Sequence, residues 1–190
     1  MRRGIALATI QALLLLGVGL QGCHVFGFRP SAQDLTGAYI AHNAEIQADK
    51  KTVDEIISAF KQAAEAVSLG NIDGVMKLYA KSYKHQGFDA VTLRSVWKNL
   101  FHEYHDLSIV HVFSRIMVQA DTIPPKAQVT CTGTLWGISS QTGQRVDIDH
   151  WVEEVNYLVY ESGSWRTQGH AWEVLMEKDT HAARPPHPFF

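Results

Sequence analysis

The sequence predicts an α+β fold, because after the N-terminal segment apolar residues follow a helical period in the first half of the chain and a period of two in the second. Between Val53 and Val67, apolar residues recur every three or four positions. From Leu107 onward, β-branched residues alternate with others, and breaks such as Pro124-Pro125 separate the runs. Helices followed by an antiparallel meander are typical of α+β domains.

Three helices are predicted. The first begins at Thr52, where the threonine hydroxyl and the Glu55 carboxylate are spaced as a capping box, and it ends at Gly70. Asn71 caps a short second helix, and Asp89 caps the third. The third helix carries an apolar stripe made of Leu93, Val96, Trp97, Leu100, Phe101 and Tyr104.

Four strands are predicted, over residues 107–119, 126–138, 144–160 and 165–175. The third strand is long, so we expect a bulge or a strong bend in it. The prediction is therefore three N-terminal helices packed on a curved antiparallel sheet of four or more strands.

The N-terminus has the features of an export signal. Arg2 and Arg3 form a basic head, and residues 4–20 carry no charge. This run is shorter than the roughly 20 apolar residues that span a bilayer, which favours cleavage over a permanent anchor. Leu20-Gln21-Gly22-Cys23 resembles the bacterial lipoprotein signal, with Gln21 in place of the usual small residue. An ordinary signal peptide and an uncleaved anchor are the alternatives.

This resemblance implies that Cys23 carries a diacylglycerol and an N-linked acyl chain such as palmitate, enough for stable membrane attachment. With the irregular composition of the residues before the first helix, it divides the chain into a signal peptide (1–22), a tether (23–49), a folded domain (50–176) and a flexible tail (177–190). A short helix near Ala38 to Gln47 is an alternative within the tether. In a Gram-negative host, His24 is not the aspartate that retains lipoproteins in the inner membrane. The expected location is therefore the periplasmic face of the outer membrane.

Composition limits the function classes. The 190 residues less the 22 of the signal leave 168, enough for one domain. The formal charge of −2 becomes −4 without Arg2 and Arg3, and no basic face or tail is present, which argues against nucleic-acid binding. If Cys23 is acylated, Cys131 has no intrachain partner and is predicted to be a small buried hydrophobe.

Two motifs carry a family resemblance. The run 69–80, with Gly70, Asp73 and the segment Leu78-Tyr79-Ala80, resembles the NTF2-like (SnoaL-like, ketosteroid isomerase-like) superfamily. The turn at 163–166 followed by His170 is similar to the last strand of that superfamily. The resemblance covers residues 50–175 and implies a cone with a pocket between the helices and the concave sheet face. It also implies homodimers through the convex sheet face, and it leaves function open.

The catalytic pattern of this superfamily is incomplete in the chain. Members similar to ketosteroid isomerase place a general-base aspartate shortly after the Leu-Tyr-Ala segment. Here residues 81–87 contain no carboxylate, and His85 lies nearest to that place. No catalytic residue is assigned, and the prediction inclines towards a protein without enzymatic activity.

The candidate pocket residues come from the helices, the loop after them and the last two strands. On the third strand His150, Glu154 and Asn156 share one register of an otherwise apolar face, and polar groups on a buried face need partners. The alternative is that these residues only line or rim the core. No metal site is predicted, since the histidines at 102 and 105 lack zinc-ligand spacing, and no cofactor is expected. The candidate set is Tyr79, Tyr83, His85, Trp97, His150, Glu154, Asn156 and His170.

Three functions are compatible with these observations. The first is a lipid-anchored, non-catalytic module that binds an apolar small molecule or a protein partner. The second is an isomerase, cyclase or hydratase that uses histidine, tyrosine and glutamate as acid-base groups in the pocket. The third is a purely structural dimer. A pocket filled by its own side chains argues against an interior ligand, whereas convergent titratable groups favour an enzyme.

Overall fold

The structure, a computed structural model, describes residues 36–85 and 87–169. Three helices and seven strands lie in these ranges, and the α+β prediction is confirmed. The helices are α1 (Lys50–Ser68), α2 (Ile72–Met76) and α3 (Ala90–Glu103). The strands are β1 (Gly37–Gln47), β2 (Lys84–His85), β3 (Phe88–Asp89), β4 (Tyr104–Gln119), β5 (Lys126–Ser139), β6 (Arg145–Glu161) and β7 (Ser164–Gly169).

Polar side chains set the helix starts, two of them as predicted. Asn71 accepts a hydrogen bond from the Gly74 backbone N–H at 3.0 Å, and Asp89 caps α3 in the same way. The capping box at Thr52 is wrong. Asp49 is the cap, since its carboxylate accepts from the Thr52 backbone N–H at 3.0 Å and from the Thr52 hydroxyl at 2.7 Å.

The sheet is mixed, which corrects the prediction of a purely antiparallel one. The strand order is β1-β4-β5-β6-β7, and β1 runs parallel to β4 while the other pairs are antiparallel. Residues 37–47 were assigned to the tether and instead form this edge strand. Only Gly37 and Ala38 of β1 are buried, so the strand lacks the alternation of apolar and polar residues that reveals a strand in a sequence.

Strand β6 contains the expected bulge. Two residues of β6, Val152 and Glu153, lie opposite one residue of β5, Thr132, between the pairs Trp151–Gly133 and Glu154–Cys131. Glu153 within the bulge has a φ of 52°, a left-handed conformation that is uncommon outside glycine. One extra residue reverses which side chains face inward along the rest of the strand.

The core lies between the helices and the concave face of the sheet. Helix α1 packs against β1, β4 and β7, and α3 closes part of the same face against β4. The stabilisation comes mainly from large apolar side chains, each worth about 1.5 to 3 kcal/mol when fully buried. Fully buried members include Ile56, Phe60, Leu93, Trp97, Phe113 and Trp151.

Several sequence predictions lie outside the described residues: the signal peptide, Cys23, His170 and the tail at 177–190. Within the described ranges, no helix has the length and apolar character needed to cross a bilayer.

Candidate functional site

Tyr79, Tyr83 and Trp97 form one buried aromatic group beneath the helices. The Trp97 indole N–H donates a hydrogen bond to the Tyr79 hydroxyl oxygen at 3.2 Å. The Tyr79 and Tyr83 rings meet edge to face, with centroids 5.1 Å apart. Burial raises the pKa of both phenols, and the neighbouring Tyr83 raises that of Tyr79 further, so both hydroxyls stay protonated at neutral pH.

His85 is buried where the β2–β3 hairpin meets the end of β7. The hairpin turns at Gly87, whose φ of 84° suits glycine, and it pairs His85 with Phe88. Gly169 of β7 approaches so closely that a Cβ there would lie 2.1 Å from the Lys84 carbonyl oxygen. This close backbone approach holds His85 inside the domain, with 5% of its surface exposed.

Asn156 and Cys131 form a second polar group on the concave face. The Asn156 side-chain amide donates to the Cys131 sulfur at 3.7 Å, and the Trp151 indole N–H donates to the same atom at 3.3 Å. Burial raises the pKa of the Cys131 thiol to about 12, and the negative charges of Glu154 and Glu153 also raise it. Cys131 is therefore a neutral acceptor in the core. The prediction that it is buried is confirmed.

The bulge in β6 separates two residues that the sequence places on one face. Glu154 lies opposite Cys131 and is partly buried, whereas His150 is exposed on the other side of the sheet. The prediction that His150 lines the pocket is wrong, because the extra residue at Glu153 changes the alternation of side chains between it and Asn156.

His111 is an interior residue that sequence reasoning missed. It is 1% exposed, and its ring lies 5.1 Å from the Phe60 ring and 5.2 Å from the Trp151 ring, measured between centroids. The signal was present in the sequence, because His111 lies on the same face of β4 as the buried residues Ile109 and Phe113, two positions from each.

Aromatic rings fill much of the space enclosed by the concave face. Phe60 contacts Phe113 at 4.9 Å between centroids, and His111 links both to Trp151. Six of the eight candidate residues are placed on this buried side, namely Tyr79, Tyr83, His85, Trp97, Glu154 and Asn156. The interior thus offers hydroxyl, amide and imidazole groups among packed rings.

Two open grooves lie outside this interior. The larger lies between α1 and the β6–β7 hairpin and is here called the α1–hairpin groove. Its volume is about 640 Å³. It runs between the exposed side of α1, including Ser58 and Gln62, and the β6–β7 turn with Tyr160 and Trp165. A smaller groove of about 350 Å³ lies between β1 and the C-terminal half of α1.

No three histidine, cysteine, aspartate or glutamate side chains of residues 36–85 and 87–169 come together as a metal site would require. The acidic and basic side chains instead pair across the surface, as Arg115 does with Glu45 at 2.7 Å. We therefore assign no metal-binding or cofactor-binding residue in this part of the chain.

Comparison with known proteins identifies structural relatives. No protein-family model and no curated protein sequence matches the chain. A conserved protein from Planctomyces limnophilus aligns with a TM-score of 0.53 at 11% identity, covering 64% of this chain and 94% of that one.

Two further solved structures align over similar lengths. A protein of the NTF2-like family from Streptomyces avermitilis aligns with a TM-score of 0.48 at 14% identity, covering 65% of this chain and 95% of that one. A ketosteroid isomerase-like protein from Erwinia carotovora atroseptica aligns with a TM-score of 0.47 at 17% identity, covering 64% and 94%. At such identities a likeness shows the fold alone. With three helices against the concave face of a curved mixed sheet, the chain shares its fold with the Planctomyces limnophilus protein.

Proposed function

We propose that the chain is an exported lipoprotein, anchored through acylated Cys23, whose NTF2-like domain is a non-catalytic binding module. The observation that carries the non-catalytic part of this proposal is the packing of large side chains on the concave face of the sheet. Phe60 contacts Phe113 there, and His111 contacts both Phe60 and Trp151. Tyr83, Trp97, Phe113 and Trp151 are fully buried, and these side chains take up space in which an NTF2-like fold would hold an interior ligand.

The protonation state of the tyrosines excludes one catalytic role. A general base must accept a proton near the working pH. Burial raises the pKa of Tyr79 and Tyr83, so neither phenolate is available as a general base at neutral pH, while both hydroxyls keep a proton to donate. His150, one of the histidines considered as acid or base, lies on the exposed side of the sheet.

A specific observation favours the enzyme as a second candidate. His85, His111 and Asn156 are buried polar residues on the inner side, and the partly buried carboxylate of Glu154 lies on the same strand as Asn156. An isomerase, cyclase or hydratase of this fold would use such groups for proton transfer.

Metabolite profiling distinguishes the two candidates. The purified full chain is incubated with a small-molecule extract of its host, and the extract is analysed by mass spectrometry before and after. We expect no metabolite to change. A metabolite that wild type converts, that the double variant His85→Ala, Glu154→Gln leaves intact, and that the exposed control His150→Ala still converts would establish the enzyme instead.

The membrane anchor has a separate test. In cells given a radiolabelled fatty acid, the wild-type chain should become labelled and Cys23→Ser should not. Cys131→Ser is the matched control, because this cysteine is buried and free in the folded domain. An unlabelled wild-type chain would contradict the lipoprotein.

We also propose that two copies associate through the convex face of the sheet. Val152 is 55% exposed on β6, and Val110 and Val112 of β4 are half-buried on the side opposite His111. An apolar strip on a sheet face is a suitable dimer surface when it extends over about 800 Å² per partner. Val152→Asp should lower the sedimentation coefficient to that of a monomer if this face is the interface.

A further inference from the structure

The α1–hairpin groove is lined by two aromatic side chains of the sheet and by the polar side of a helix. The rings of Tyr160 and Trp165 meet edge to face, with centroids 5.4 Å apart and planes inclined at 65°. The groove volume of about 640 Å³ lies within the range of small-molecule sites, roughly 300 to 1,000 Å³. The groove therefore has the size of a ligand site and an apolar surface on which a ring can pack.

Trp165 lines this groove and carries an unused hydrogen-bond donor. The residue is 3% exposed, and its indole N–H is buried without a hydrogen-bond partner. Most buried polar groups in proteins are paired, because an unpaired donor loses its bond to water and gains nothing. A donor in this state favours any molecule that brings an acceptor to it.

The charges at the groove cancel one another. Lys50 lies one helical turn before Asp54, with 2.5 Å between the charged groups, and Lys51 lies one turn before Glu55 at 3.8 Å. Each cation therefore has its own carboxylate on α1. Neither a phosphate nor an ammonium group would find an uncompensated partner here, so the groove suits an uncharged ligand.

Further along α1, the side chains at the rim of the groove are polar and uncharged. Gln62 donates its side-chain amide to the Ser58 hydroxyl oxygen at 3.0 Å, one turn away on the same helix. This pair lies on the exposed surface and can reorient on the nanosecond scale typical of surface side chains.

We propose that the α1–hairpin groove binds a small neutral molecule with a carbonyl-type acceptor next to a ring. The acceptor takes the Trp165 indole N–H, and the ring packs on Tyr160. This inference rests on the proposed function, a non-catalytic binding module, and names its site and the chemical class of its ligand.

The test uses acetophenone, which has a ring and a carbonyl, and ethylbenzene, which has the ring without the acceptor. The full chain, labelled with ¹⁵N at its five tryptophan indoles, is placed in lipid nanodiscs and titrated with each compound by NMR. The Trp165 signal is identified by its loss in Trp165→Phe. We expect acetophenone to move this signal most, and ethylbenzene to bind roughly tenfold more weakly because it leaves the donor unpaired.

Two variants separate the donor from the groove. Trp165→Phe keeps an aromatic ring and removes the N–H, so acetophenone should bind it no better than ethylbenzene does. Ser58→Leu, at an exposed rim position, should block both compounds while leaving Trp165 in place. Trp136→Phe, on β5 and away from the groove, should bind as wild type does.

Three outcomes would overturn the proposal. Equal binding of the two compounds would mean that the N–H takes no part, as expected if it already points at the Tyr160 ring. The absence of any shift would mean that the groove is not a site. Shifts at Trp97 and Trp151 instead of Trp165 would place the ligand in the interior and contradict the filled concave face as well. Failure of fatty-acid labelling with groove binding intact would remove only the anchor.

Discussion

Cys131 illustrates how one buried atom satisfies two donors. The Trp151 indole and the Asn156 amide both donate to its sulfur, at 3.3 and 3.7 Å. Sulfur is a weak acceptor, but it is the partner that the core provides for both groups. The sequence predicts a buried cysteine from its register, yet its partners come from another strand and depend on the bulge in β6.

The Cys131 thiol should be inert in the folded protein. With a pKa of about 12, only about one thiol in ten thousand is ionised at pH 8. A cysteine thiol with the ordinary pKa of 9.0 would be ionised in about one molecule in ten. In Cys23→Ser, where Cys131 is the remaining thiol, a chromogenic disulfide reagent should react only after urea is added. Rapid reaction without urea would show that the sulfur is accessible and that its assigned burial is wrong.

Gly133 should tolerate no side chain. A Cβ at this position would lie 2.1 Å from the Val110 carbonyl oxygen and 2.2 Å from the Trp151 ring. Because both neighbours are fixed by the sheet and the core, we expect Gly133→Ala to lower the free energy of unfolding by about 3 kcal/mol. Urea denaturation measures this change.

The matched control for Gly133 is Gly143→Ala. Gly143 has open space around it and a φ of 66°, so alanine there costs only about 1 kcal/mol of backbone strain. Equal losses in the two variants would show that the close approach at Gly133 is not real.

At the scale of elements, two of the three helix caps were predictable from the sequence. Asn71 and Asp89 follow the simple rule of a polar residue before an apolar run. Thr52 with Glu55 matches a capping box equally well, but Asp49 competes with it and wins, because its carboxylate accepts two hydrogen bonds where a threonine oxygen accepts one. Sequence rules name candidates for a cap, and three-dimensional competition selects one.

The Asp49 cap should make α1 sensitive to acid. Its hydrogen bonds from Thr52 lower the pKa of Asp49 below 3.8, the ordinary value of an aspartate carboxyl. A lowered pKa in the folded state means stability that is present above pH 3.8 and lost as pH falls through the lowered value. Asp49→Asn keeps a cap and should remove this pH dependence, whereas Asp49→Ala should lower the melting temperature at every pH. Identical acid titrations of wild type and Asp49→Asn would contradict the assignment.

Strand β6 shows why the candidate site was only partly predictable. A strict period of two places His150 and Asn156 on one face, and the sequence indicates a bulge without giving its position. The bulge lies between them, at Glu153, whose carboxylate accepts from the Ser114 hydroxyl at 2.8 Å and the Thr132 hydroxyl at 3.3 Å. These contacts join three strands, so no local pattern encodes them.

The assignment of faces on β6 can be tested by stability. His150 is exposed, and His150→Ala should change the free energy of unfolding by less than about 0.5 kcal/mol. Its neighbour Trp151 is 2% exposed, and Trp151→Ala should cost about 3 to 5 kcal/mol. A large loss at His150 with a small one at Trp151 would restore the strict alternation and remove the bulge.

At the scale of the whole molecule, the fold class, the three helices and four strands were predictable because each has a strong period of its own. Strand β1 was not predictable, since its backbone pairing with β4 holds it in the sheet while its side chains show no alternation of apolar and polar residues. The folded part thus includes residues 37–47, ahead of the predicted start at residue 50.

Removing β1 should therefore damage the domain. A chain that begins at residue 48 lacks the edge strand and exposes the backbone of β4, which favours aggregation through the open edge. We expect it to melt at a lower temperature and to aggregate, in contrast to a chain that begins at residue 23 and serves as the control. Equal melting temperatures would show that β1 contributes nothing and that the tether does extend to residue 49.

The parallel pairing of β1 also has a mechanical consequence for an anchored protein. If Cys23 is held in a membrane, β1 is the first strand of the described residues that a pull along the chain reaches, starting at Gly37. The force then acts along β1, across hydrogen bonds that span Gly37 to Gln47 and are loaded together in shear instead of one after another. The edge strand that carries no sequence signal would be the part that bears the tension between the lipid anchor and the domain.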